Sequence, residues 1–343
     1  MAATQTTPTT TTVPVQPDTR RTVLITGCSA HGLGHALAIA FHDAGLRVFA
    51  TARDPDRMAD LRARGIECLQ LDVLDEESIR RCVQTVRGLT ARRDDGDGEA
   101  EAEGRLNCLV NNAGGGYNMP VADISIPEAK ALFDLNVWSC IAVTQAFLPL
   151  LINAAKPPTP TSTSARSTSH LPPPPSLILN NTSVSSVEPT PHNSAYHASK
   201  AATAMFSTHM RLELQPFGVH VIDLKTGCVH SRFHANHQHG QASLPRDSIY
   251  APVRDQTESA MRNAFPLRED PDRWAAAVVR DVLTPWNRRA GRGLPLEIWR
   301  GTGAWRTWFY NCTFWPVGWW DEWWRRAVGL DLLREKVRQS YGA

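Results

Sequence analysis

Val23-Leu24-Ile25 runs directly into Thr26-Gly27-Cys28-Ser29-Ala30-His31-Gly32-Leu33-Gly34, and this stretch decides the fold. Three apolar residues in a row read as a buried strand. The glycines then let the chain turn tightly, and residues 35–44 continue with helical spacing. A glycine-bearing turn between a strand and a helix is where a dinucleotide-binding sheet holds phosphate. Without Cβ atoms the backbone can approach a pyrophosphate, and the helix N-terminus offers it unpaired N–H groups.

The same alternation continues outward from this turn. Val48-Phe49-Ala50, Cys68-Leu69-Gln70-Leu71, Leu109-Val110, Leu177-Ile178-Leu179 and Val219-His220-Val221-Ile222 read as further strands. Residues 35–44, 77–86, 128–151 and 199–214 read as helices between them. Strands that are apolar throughout and alternate with helices predict a parallel sheet covered on both faces. The expected fold class is α/β, a doubly wound parallel sheet of the Rossmann type in one domain over residues 21–300. A Thr/Pro-rich tail over 1–20 is expected to be disordered, and a Trp-rich extension occupies 301–343. Two biased stretches read as loop insertions that leave the core alone, within 90–105 and 156–176. The first is acidic and glycine-rich over 94–104, the second rich in Pro, Ser and Thr over 156–175.

The bulk numbers exclude several classes. The chain has 343 residues and a formal net charge of +2, so no general field for nucleic acid is implied. Seven cysteines show no C-x-x-C pair, which predicts reduced thiols in an intracellular, cytoplasmic protein. The N-terminus has no apolar signal region, and no run reads as long enough to span a bilayer. Asn180, Asn181 and Asn311 open glycosylation sequons, but the first two lie in an expected buried strand, so all three read as accidental.

The chemistry points to Tyr196-His197-Ala198-Ser199-Lys200, with Ser183 upstream. Residues four apart share one helix face, which sets the Lys200 ammonium beside the Tyr196 phenol. A free phenol titrates near ~10, and a neighbouring cation is expected to lower that value toward a working acid/base. Ser183 could hydrogen-bond the oxygen of a reacting carbonyl. At the other end, Arg53 follows the second strand, where an acidic residue would bind ribose hydroxyls. An arginine there suits a 2′-phosphate, although Asp54 adjoins it. Asp72 is expected to close the third strand and could accept from an adenine amino group. Asn111-Asn112-Ala113-Gly114 closes the fourth.

Taken in order, these features resemble the short-chain dehydrogenase/reductase family from about Thr22 to Arg232. Asn136 and Thr226-Gly227-Cys228-Val229-His230-Ser231 add to the match, with Thr226 where that family has proline. The resemblance implies that Tyr196 is the acid/base, that Lys200 supports it and holds the nicotinamide ribose, and that Ser183 positions the carbonyl. Asn136 would hold a relay water. Gly27, Ser29, Gly32, Leu33 and Asn112 would contact the cofactor with Arg53 and Asp72. Val229 and Ser231 would contact its nicotinamide end. Four residues separate Gly27 from Gly32, where the common pattern has three. The chain is similar here to the yeast-type 1-acyldihydroxyacetone-phosphate reductases and their fungal relatives, some in secondary metabolism. That branch implies NADP(H) and an apolar small-molecule carbonyl or alcohol substrate, which is a polyketide or terpenoid intermediate on one reading and a lipid or steroid ketone on another. A non-catalytic NADP-binding sensor is the rival. His31 stands where the branch often has glycine and is expected to face solvent. The family also implies a homo-oligomer.

Two regions remain. His230, His234, His237 and His239 sit in a polar loop without the cysteine or carboxylate pattern of a zinc site, so no metal is expected and a substrate lid is. Seven of the eleven tryptophans lie between Trp305 and Trp324, with Arg306, Arg325 and Arg326 among them. An aromatic and basic segment of this kind predicts either contact with a membrane surface or internal packing.

Overall fold

A computed structural model describes residues 20–91, 104–156, 175–231, 243–263, 267–286, 293–312, 321–327 and 329–341. Seven strands form one parallel sheet: β1 (Thr22–Ile25), β2 (Arg47–Ala52), β3 (Glu67–Gln70), β4 (Cys108–Asn111), β5 (Ser176–Asn181), β6 (Val219–Thr226) and β7 (Glu297–Arg300). Their order is β3-β2-β1-β4-β5-β6-β7. The chain winds outward from β1 in one direction, then restarts at β4 on the other side of β1. That reversal opens a crevice beyond the carboxyl ends of β1 and β4, where such sheets bind ligands.

Helices α1 (Leu33–Asp43) and α8 (Pro271–Trp286) cover one face, with the short α2 (Ala59–Ala63) beside them. On the other face lie α3 (Glu76–Thr90), α5 (Ser139–Ala155) and α6 (Ser194–Leu214). The strands supply both cores by simple alternation. Val23 and Ile25 pack under α1 and α8, while Leu24 points to the opposite side, with Phe49, Leu109 and Ile178. Trp274 and Trp286 of α8 are fully buried, and the Trp286 indole donates to the Pro175 carbonyl at 2.9 Å. Burying each stabilises the fold by about 1.5–3 kcal/mol, the scale for a large apolar side chain.

Several expected boundaries move. The helix read over 128–151 is three pieces: α4 (Ile126–Phe133), a π-helical turn (Asp134–Trp138) and α5. The helix read from 199 begins at Ser194, so Tyr196 and Lys200 share it. β3 ends at Gln70, which leaves Asp72 in the loop beyond it, where its carboxylate accepts the Leu74 N–H at 3.0 Å. The combined helical run Ile126–Ala155 is long and apolar enough to cross a membrane, with mean hydropathy 1.7 over an 18-residue window, against the sequence expectation. Half of that window is buried inside the protein. Val143, Phe147, Leu150 and Leu151 pack on β4 and β5, as in a core helix.

The tail over 1–19 and most of both insertions, 92–103 and 157–174, lie outside the described residues. Their attachment points are described: α3 and α5 end on the amino-terminal rim of the sheet, opposite the crevice. After α7 (Arg254–Asn263), α8 and β7 come α9 (Ala304–Cys312), α10 (Asp321–Ala327) and α11 (Leu330–Tyr341). In α9, Ala304 and Thr307 face inward. Trp305, Trp308 and Phe309, spaced to share one side, are exposed. Lys336 of α11 donates to the Pro252 carbonyl at 2.5 Å, so the last helix folds back on the 3₁₀ turn Ala251–Val253.

Candidate active site

The turn after β1 is built on close backbone contact. Gly27 has φ of +74°. A Cβ on Gly34 would fall 2.5 Å from both the Gly27 carbonyl oxygen and Asn112 Nδ2. Asn112 holds this geometry by donating from Nδ2 to the Thr26 carbonyl at 2.8 Å. The Thr26 hydroxyl accepts the N–H groups of Asn112 and Ala113, both at 2.9 Å. His31 is exposed and left-handed, with φ of +63°, a backbone conformation that favours glycine.

A cleft of about 940 Å³ runs along the carboxyl rim. At one end it is lined by Gly27, Ser29, Gly32 and Leu33, then Arg53, Asp72 and Leu74. Arg57 joins Arg53 there and was not expected. It sits in the 3₁₀ turn Pro55–Met58, and its carbonyl accepts the Ala30 N–H at 2.9 Å, which ties that turn to the glycine loop. Glycines that leave room for backbone approach, a helix N-terminus and two guanidinium groups fit a phosphate-bearing dinucleotide.

At the middle of the cleft the four expected catalytic residues meet. Ser183, just past β5, caps the 3₁₀ turn Val184–Ser186 and accepts the Ser185 N–H at 3.1 Å. Its hydroxyl also hydrogen-bonds the Tyr196 phenol. One turn along α6, Lys200 Nζ donates to the Asn181 carbonyl at 2.9 Å. Asn136 lies in the π-helical turn, a feature often found at functional sites because it re-aims a side chain. Its Oδ1 accepts the Gly115 N–H at 2.9 Å, and its Nδ2 donates to the Gly115 carbonyl at 3.0 Å and to Ser199 Oγ at 2.9 Å. Ser199 in turn donates to the Tyr196 carbonyl at 2.7 Å, so the turn is fastened to the helix that carries the phenol. All four side chains are buried.

The electrostatics correct one expectation. Burial pushes the Tyr196 phenol up to about 12, against the pull of its Ser183 hydrogen bond. Lys200 does not lower it in this geometry: Nζ lies 5.9 Å from the ring centroid and points at the Asn181 carbonyl. Burial instead brings Lys200 down to about 8, opposed by Cys140 and Asp223. Tyr196 therefore holds its proton at neutral pH, the state a proton donor needs. Because Lys200 loses its charge first, the kcat/KM of a reductive reaction is expected to fall on an alkaline limb near pH 8. A profile flat to pH 10 would contradict that assignment.

The far end of the cleft holds residues that lie beyond any local motif. Glu188 accepts from Arg306 Nη2 at 3.1 Å and from the Thr307 hydroxyl, both on α9. Cys228, Arg268 and Trp323 line the same end with Val229 and Ser231. Asn181 joins the carboxyl ends of the strands by donating to Asn112 Oδ1 at 2.9 Å and accepting from the Thr226 hydroxyl at 2.5 Å. With Asn180 and Asn181 both buried, neither sequon has room for a glycan. His230 is exposed; His234, His237 and His239 lie outside the described residues.

The comparisons agree with this geometry. A family model described as short chain dehydrogenase matches residues 21–158 and 166–242. A short-chain dehydrogenase/reductase of Pestalotiopsis microspora is 43% identical over 93% of this chain and 98% of its own length. An NADPH-dependent 1-acyldihydroxyacetone phosphate reductase of Schizosaccharomyces pombe is 37% identical, covering 68% of each chain. Among solved structures, a short-chain dehydrogenase from Streptomyces avermitilis superposes with a TM-score of 0.64 at 25% identity, over 85% of this chain and 93% of that one. The chain belongs to the short-chain dehydrogenase/reductase family and is an oxidoreductase.

Proposed function

We propose that the protein is an NADPH-dependent reductase that converts a ketone or aldehyde to an alcohol, on an intermediate of fungal secondary metabolism of polyketide or terpenoid type. The observation that carries this reading is the convergence of Ser183, Tyr196 and Lys200 in one cleft whose other end presents Arg53 and Arg57. Bound nicotinamide supplies the hydride. Ser183 donates a hydrogen bond to the carbonyl oxygen and orients it. Tyr196 gives its phenolic proton to that oxygen as the alcohol forms. Lys200, charged below pH 8 and fixed by the Asn181 carbonyl, holds the nicotinamide ribose in place. Asn136 fixes the π-helical turn to Gly115 and, through Ser199, to the helix that carries Tyr196. The S. pombe relative's NADPH dependence supports the cofactor choice.

Its substrate also supports a second reading, a lipid ketone, and the exposed Trp305, Trp308 and Phe309 stripe of α9 is compatible with peripheral contact at an intracellular membrane. Assays of NADPH oxidation over both ketone classes separate the two readings. Substrate-dependent loss of NADPH absorbance that is absent in Tyr196→Phe supports the reductase. Tight NADPH binding without turnover on any carbonyl would favour the sensor.

Arg53→Ala and Arg57→Ala are each expected to weaken NADPH binding by ~10-fold or more, since each removes a charged hydrogen-bond donor to phosphate. NADH, which lacks the 2′-phosphate, should be little affected. Equal losses for both cofactors would overturn the assignment of these arginines.

A further inference from the structure

β6 is buried at seven of its eight positions, yet two of those hold an ion pair. Lys225 Nζ lies 2.6 Å from Asp223 Oδ2, with the two side chains only 4% and 9% exposed. Spaced by two, they project from the same face of the strand, the face covered by α5 and α6. A buried ion pair contributes little net stability compared with an apolar pair of similar volume, because desolvation offsets the attraction. Lys225 reaches Glu297 and Trp299 on β7, but the hydrogen bonds that both partners make to the residues after β5 lead to the active site. The Thr182 hydroxyl donates to Asp223 Oδ1, and Thr182 is the residue before Ser183. Lys225 Nζ donates to Ser186 Oγ at 3.2 Å, and Ser186 Oγ donates to the Ser183 carbonyl at 2.7 Å. The turn carrying Ser183 is thus held from both sides. Asp223 also pairs in register with Asn180, next to Asn181, whose carbonyl receives Lys200.

We infer that Asp223 is a positioning residue for this site, clamping the Ser183 turn together with Lys225 and facing the Lys200 ammonium with a negative charge. The groups around Lys200 are few. Tyr196 shares its helix, Cys140 of α5 lines a small cavity with it, and Asp223 of β6 pairs in register with Asn180, beside the carbonyl that holds Lys200. Asn136 and the Asn181 carbonyl are uncharged. Burial pushes the Cys140 thiol up to about 12, so Cys140 is neutral near pH 7. Asp223 is the carboxylate in this set, with the Lys225 ammonium 2.6 Å from it on the same strand. Lys225 is shared between Asp223 and the more distant Glu297, at 3.8 Å.

The electrostatic half is tested without any substrate. Lysine Cε resonances are followed by 13C NMR through a pH titration, with Lys200→Met assigning the signal. In Asp223→Asn the Lys200 midpoint is expected to drop by about half a unit or more, because an opposite charge nearby is lost. An unmoved midpoint overturns this half. The positioning half rests on the proposed reductase activity. Thr182→Val keeps the ion pair and removes the hydroxyl that ties Asp223 to the residue before Ser183, along with its 3.3 Å bond to the Leu224 carbonyl. The double variant Asp223→Asn/Lys225→Met removes both charges and so leaves neither ion buried alone, which guards against simple misfolding. Both are expected to lose ~10-fold or more in kcat, on the scale of a misplaced reacting group. The KM for NADPH should change little, and circular dichroism should match the parent. Parental kcat in both variants overturns the clamp. Should the parent protein reduce no carbonyl at all, the reductase reading fails, while the lysine titration still decides the role of Asp223 beside Lys200.

Discussion

Tyr196→Phe is expected to lower reductive turnover by ~10³-fold, within the range for removing a positioned general acid. The effect follows from geometry rather than from a shifted phenol. Tyr196 is held at the cleft by Ser183 on one side and by the Ser199–Asn136 bonds on the other. Phenylalanine fills the same volume, so the helix and the cleft keep their shape. NADPH affinity, read by fluorescence titration, should stay within a few-fold of the parent because the phosphate end is untouched. With its phenol pushed up to about 12, the parent enzyme keeps the proton through the neutral range. The loss in the variant should therefore be as large at pH 6 as at pH 7.5. Retained turnover would show that another group delivers the proton.

Gly34→Ala is the second large effect. The added methyl would meet the Gly27 carbonyl oxygen and Asn112 Nδ2 at 2.5 Å; the first is backbone and the second is pinned by its hydrogen bonds to two carbonyls. Gly34 lies in the first turn of α1, and Asn112 donates to the Thr26 and Gly27 carbonyls. Relief of the clash has to push α1 away from the strand or break those bonds. A loss of roughly 2–3 kcal/mol in folding free energy is expected, the usual cost of overpacking a tight contact. It should appear as a lower urea midpoint, with NADPH affinity reduced as well because the same turn forms the phosphate end. An unchanged midpoint and affinity would mean that the turn is looser than described. Gly45, with open space around it and φ of +85°, is a control for backbone strain without a clash.

The sheet and the central triad were legible because their signals are local. Each of the first six strands announces itself as a short apolar run, and Ser183, Tyr196 and Lys200 lie on one strand end and one helix. β7 was not legible: Glu297-Ile298-Trp299-Arg300 has a single buried apolar residue, and an edge strand needs only one buried face. The break at Asp134–Trp138 was also hidden. One extra residue in a helical turn leaves the apolar pattern of its neighbours nearly intact. Arg57 escaped notice inside a four-residue 3₁₀ turn, and Glu188 meets α9 only through tertiary folding, 118 residues from Arg306. The direction of the Tyr196 shift could not be read from spacing. Spacing gives the neighbour, whereas burial depends on everything packed around it.

Because all seven strands run parallel, the two rims of the sheet live under different rules. Every connection that leaves a strand emerges at the cleft, where a change of one residue alters chemistry. The segments containing 92–103 and 157–174 enter β4 and β5 from the other rim, so their length is free to drift. A lineage of such enzymes can therefore lengthen, shorten or rewrite these two segments while its reaction stays the same. The far rim is also where an affinity tag or fluorescent reporter would be spliced into the chain with least interference.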